Sequence, residues 1–65
     1  MSIGLRIRFY RKSRELSQRE LARRLRMAPP QLSRYETGRT EPGLVVLGRI
    51  AKALDVPLSD FLFGR

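Results

Sequence analysis

The 65-residue chain carries 14 Lys and Arg against 6 Asp and Glu, a formal net charge of +8, with 42% of its residues hydrophobic; that suits one small core without an internal catalytic cleft, and the charge excess points to a polyanion. Having neither Cys nor His, it excludes disulfides, Cys- and His-ligated metal sites and the usual nucleophile–base pairs. No apolar run approaches the roughly 20 residues that span a bilayer, and Arg6, Arg8 and Arg11 are followed by no apolar segment of signal-peptide type. The expectation is a single domain over residues 1–65, cytoplasmic and nucleoid-associated, with no metal, cofactor, membrane or small-molecule partner. No repeat, low-complexity tract or linker interrupts it.

Residues 3 to about 14 read as a helix, with Ile3, Ile7, Tyr10 and Arg14 on one face and Leu5 and Phe9 as a second apolar stripe roughly opposite. Ser17-Gln18-Arg19-Glu20 is a capping box. It opens a second helix, about 18 to 25, whose inner stripe is Leu21, Ala22 and Leu25, with Arg19, Arg23 and Arg24 outward. Arg26-Met27-Ala28 forms the turn. A third helix starts at Pro29 or Pro30 and runs to about Thr37. Proline suits a first helical turn, but the residue before a proline avoids helical geometry, which favours Pro29 as the cap and Pro30 as the first helical residue. Leu32 and Tyr35 face inward and Gly38 stops the helix. Residues 39–43 are a loop. A fourth helix, about 44 to 54, presents Leu44, Leu47, Ile50, Ala51 and Leu54 as a core stripe, with Val45 and Gly48 facing away. A short fifth, about 58 to 62, supplies Leu58, Phe61 and Leu62. The fold class is all-α: a compact five-helix bundle in which the second and third helices form a helix-turn-helix.

Leu16-Ser17-Gln18, Glu20-Leu21-Ala22, Leu32-Ser33-Arg34-Tyr35-Glu36, Gly38-Arg39, Pro42, Leu44, Leu47, Ile50-Ala51-Lys52-Ala53-Leu54 and Val56 stand in an order and spacing that resembles the Cro and phage-repressor type of helix-turn-helix, the XRE family. The resemblance runs from about Ile3 to Phe61 and implies a lambda-repressor-like DNA-binding domain. It makes the third helix the recognition helix, places Gln18 and Arg39 at DNA phosphates, sets Arg11 and Glu36 in a structural ion pair, and implies a homodimer on paired half-sites. Three departures stand out. Ala28 and Pro29 replace the family's frequent Ser or Thr followed by Gln. Arg26 takes a turn position that is usually Gly, where a left-handed backbone costs about 1 kcal/mol. Glu15 stands where Gly or Asn is frequent.

Gln31 and Arg34, three residues apart, share a helix face; Gln pairs with adenine and Arg with guanine in the major groove. Ser33 is placed to reach a base or a phosphate. Pro29 and Pro30 either pack on a thymine methyl or, as is commoner for such residues, simply start the helix. Arg19 and Thr40 join Gln18 and Arg39 as phosphate candidates, while Arg23 and Arg24 read as solvated charges. Leu5, Phe9 and Val45 lie outside the predicted core and form a candidate dimer surface with Phe63, the fourth and fifth helices being the expected interface. The reading is a sequence-specific double-stranded DNA-binding transcriptional regulator, a repressor acting by operator occupancy, and not an enzyme. Two alternatives are an antitoxin-like interaction module with secondary, autoregulatory DNA binding, and a binder of nucleic acid or membrane surface driven by charge alone.

Overall fold

Ser2 starts the first helix by accepting a hydrogen bond from the Leu5 amide at 3.2 Å. In the computed structural model, which describes residues 2–63, five helices follow in order: α1 (Ile3–Ser13), α2 (Gln18–Leu25), α3 (Pro29–Thr37), α4 (Leu44–Leu54) and α5 (Ser59–Leu62). The described residues contain no strand, and the bundle is all-α. The helix-turn-helix is the pair α2 and α3, packed on α1 and α4.

The helix ends share one device. After α2, α3 and α4 a residue turns left-handed, at Arg26 (φ 57°), Gly38 (φ 81°) and Asp55 (φ 58°), and Glu15 (φ 57°) does the same shortly after α1. In each case the amide of the following residue reaches back five positions to a helix carbonyl: Leu16 to Arg11, Met27 to Ala22, Arg39 to Arg34 and Val56 to Ala51, at 2.9–3.1 Å. These are Schellman closures. Three of the four use a residue with a side chain where glycine would be unstrained.

The fully buried side chains are Ile7, Leu21, Leu25, Leu32, Leu47, Ile50, Leu54 and Phe61. Two members of the expected core are not in it. Leu44 is 64% exposed and Leu62 44% exposed. Leu44 is the first residue of α4, and a helical side chain leans toward the N-terminus, so it overhangs the end of the helix instead of the core. Pro42 is buried instead, beside Ile3, Gly4 and Tyr35. Leu62 ends a single helical turn of which only Phe61 is buried. Arg14, placed by periodicity on the inner face of α1, is exposed and falls just past the helix. It reaches across to donate to the carbonyls of Leu54 (3.0 Å) and Asp55 (3.3 Å).

Gly4 explains how closely α1 and α3 approach. A methyl group at Gly4 would fall on the Tyr35 carbonyl oxygen and within 2.7 Å of the Glu36 carbonyl oxygen. Backbone therefore packs on backbone there, which fixes how far α3 stands out from the bundle.

Candidate nucleic-acid interface

α3 buries Leu32, Tyr35 and Glu36. At 100° per residue the opposite side of that helix carries Pro30 and Arg34, one turn apart, with Thr37 beyond them. All three are exposed, while Gln31 and Ser33 are half-buried on the two flanks. Gln31 and Arg34 meet: Arg34 Nη1 donates to Gln31 Oε1 at 3.2 Å, on the solvent side. Thr37 is more self-contained, its hydroxyl donating back to the carbonyls of Ser33 (3.0 Å) and Arg34 (3.3 Å).

α3 begins without a side-chain cap. Ala28 is the N-cap, extended at φ −72°, ψ 140°, and Pro29 and Pro30 are the first two helical residues. The extended Ala28 satisfies the restriction before proline, which moves the cap one residue earlier than the expected Pro29. α2 begins in the opposite way. The Ser17 hydroxyl accepts from the Glu20 amide at 3.0 Å, and Glu20 Oε1 accepts from the Ser17 amide at 2.8 Å. The Ser17 backbone amide first, and the Ser17 side chain second, hold the Glu20 carboxyl below its ordinary value of 4.5, with Arg24 and Arg23 adding to the effect.

Between the start of α2 and the last turn of α3 lies a polar cluster around a buried ion pair. Arg11 and Glu36 form a two-pronged pair, Nε to Oε2 at 2.7 Å and Nη2 to Oε1 at 3.0 Å. Arg11 Nη1 also donates to the Leu16 carbonyl at 2.8 Å. Gln18 joins the cluster, its Nε2 donating to Glu36 Oε1 at 3.0 Å. The first residue of α2 is thus tied to the last turn of α3, a partnership between residues 18 positions apart that has no local signature.

Arg19 is exposed on the outer side of α2, in a notch of about 240 Å³ lined by Arg19, Arg23, Met27 and Pro29. Arg39 and Thr40 are exposed past the end of α3, their backbone amides both directed to the Arg34 carbonyl, at 3.0 and 3.3 Å. The apolar candidates Leu5 (50% exposed), Phe9 (56%), Val45 (81%) and Phe63 (77%) fall in three separate parts of the chain. Leu5 and Phe9 share the outer side of α1, Val45 sits in the first turn of α4 beside Leu44, and Phe63 follows α5.

Three further arginines are engaged at home. Arg6 donates to the carbonyls of Asp60 (3.2 Å) and Phe61 (3.4 Å), Arg14 closes the end of α4, and Arg49 donates to the Leu25 carbonyl at the end of α2. Guanidinium groups at helix C-termini meet both unpaired carbonyls and the negative end of the dipole. Each partner lies 24 or more positions away, so local spacing offered no signal for them.

A helix-turn-helix family pattern matches residues 7–61. The chain belongs to the XRE helix-turn-helix family, the Cro and phage-repressor type. Multiprotein-bridging factor 1 of Debaryomyces hansenii is 34% identical over 65 residues, which is 100% of this chain and 43% of the relative; the chain thus spans less than half of that protein's length. Among solved structures, SinR in complex with DNA, a Bacillus subtilis protein, superposes with a TM-score of 0.86 at 34% identity, covering 92% of this chain and 97% of the other. The P22 c2 repressor in complex with a synthetic operator gives 0.91 at 29% identity, covering 100% and 98%. Among the described residues no helix is long and apolar enough to cross a membrane.

Proposed function

We propose that this member of the XRE family is a sequence-specific double-stranded DNA-binding transcriptional regulator that inserts α3 into the major groove and represses by occupying an operator, without catalysis. The observation that carries the reading is the outward strip of α3: Pro30 and Arg34 exposed on one line, Gln31 and Ser33 beside them, and the apolar residues of the same helix turned into the core. Arg34, Gln31, Ser33 and Pro30 face the bases. Gln18, Arg19, Arg39 and Thr40 hold phosphates on either side, so that register is set by backbone contacts and sequence by α3. SinR and the P22 c2 repressor, both solved in complex with DNA, support DNA as the ligand.

The pairing of Arg34 with Gln31 refines the readout. Gln31 Oε1 accepts from Arg34 with one of its two lone pairs, and Arg34 has only donors, so the pair presents mainly N–H groups to the groove. Such a pair suits guanine, whose O6 and N7 both accept, better than adenine, which needs a donor and an acceptor together. A homodimer in the cytoplasm, on half-sites about one helical turn apart, belongs to the same proposal. Its apolar contacts would come from Leu5, Phe9, Val45 and Phe63, and sedimentation of the free and DNA-bound protein tests it.

Selection of binding sites from random duplex DNA, followed by a salt titration on the winner, tests the whole reading. A defined site is expected. Arg34→Ala should relax preference at one position and cost roughly 1–3 kcal/mol, whereas Arg39→Ala should weaken all sequences alike and lower the salt slope by about 1. Equal binding of selected and random DNA would overturn the proposal.

A further inference from the structure

The first turn of α3 has no free backbone donor within the helix itself. Pro29 and Pro30 have no backbone N–H, and Ala28 has no side-chain polar atom. The first amide available, that of Gln31, is already directed to the Ala28 carbonyl at 2.9 Å. The two prolines also diverge. Pro29 lines the notch with Arg19, Arg23 and Met27, toward α2, while Pro30 lies on the outward line one turn before Arg34. Whatever base edge meets Pro30 meets carbon alone.

Three of the four bases present only donors and acceptors in the major groove, and covering those with a proline ring strips their water and returns nothing. Thymine presents a methyl group. We infer that Pro30 is a specificity-determining residue that selects thymine by packing on its 5-methyl group. The inference rests on the proposed insertion of α3 into the major groove. Pro30 precedes Arg34 by four residues, about 6 Å along the helix axis, so the thymine lies roughly two base-pair steps, at about 3.4 Å each, from the guanine read by Arg34.

Deoxyuridine differs from thymidine only in lacking that methyl group, which makes the test direct. The site is selected from random DNA, the guanine is located as the position where Arg34→Ala loses preference, and each thymine is replaced in turn by deoxyuridine. One position within about two base pairs of that guanine should lose affinity about fourfold, the worth of one buried methyl-sized group. In Pro30→Ala, whose helix content and melting are checked alongside, the thymine-to-uracil ratio at that position should fall to near one. A preferred site that tolerates deoxyuridine at every position, or an unchanged ratio in Pro30→Ala, would overturn the inference while leaving the regulator intact. A selection that returns no preferred site would overturn both.

Discussion

The N-termini of α2 and α3 are built on opposite principles. At α2, Ser17 and Glu20 satisfy each other's backbone amides and Gln18 is held from behind by Glu36. At α3, no side chain caps the helix and two of the amides are absent altogether. The first arrangement spends its polar groups on holding position. The second has few polar groups to satisfy and leaves carbon facing outward. In this chain one helix start is fastened by its own side chains and the other is not.

The contrast can be broken at its common support. Arg11→Met removes the cation that Glu36 is buried with and that Gln18 shares through it; unfolding in urea should show a loss of about 3–5 kcal/mol, because a buried carboxylate is left without its partner. A loss below about 1 kcal/mol would mean that the cluster is solvated. The anchor itself is tested by Ser17→Ala, expected to cost about 1 kcal/mol. Converting the other start toward it by Ala28→Ser should gain less, about 0.5 kcal/mol, since among the first three helical residues only Gln31 keeps an amide to accept from. Equal and opposite effects in these two variants would erase the distinction drawn between the two ends.

The smallest effect concerns pH. The folded state holds the Glu20 carboxyl below its ordinary value of 4.5. The stabilisation from its charged form is therefore complete above about pH 4.5 and is lost as the pH falls below that through the lowered folded value. Glu20→Gln keeps the hydrogen-bond acceptor without the charge. The difference in melting temperature between the parent and this variant should narrow as the pH falls below 4.5, and a difference that stays constant would mean that the carboxylate does not feel the cap.

Sequence patterns carried the architecture a long way because most of it is local. The capping box at Ser17 and Glu20 and the stop at Gly38 each depend on residues within one turn, and each is where its residue type and spacing place it, whereas the left-handed Arg26 is legible only from the resemblance to the family. The core of α2 and the inward side of α3 follow from helical period alone. Period tells which side of a helix is apolar but not where its partner ends, and so Leu44 and Leu62 were assigned to a core that stops short of them. The close approach at Gly4 depends on residues more than 30 positions away. The same holds for the candidate interface. The outward line of Pro30 and Arg34 follows from period, whereas the bond from Gln18 to Glu36 joins two helices and has no local signature.

One consequence lies in the turns. Glu15, Arg26 and Asp55 hold backbone angles that glycine adopts freely, and none of them lies on the outer side of α3. Glycine at these places should relieve about 1 kcal/mol of strain each, less the greater freedom glycine brings to the unfolded chain. The domain thus carries slack at its corners. Changes to Pro30, Gln31 or Arg34 that retarget it to another sequence can be offset there, so that specificity and robustness become separately adjustable.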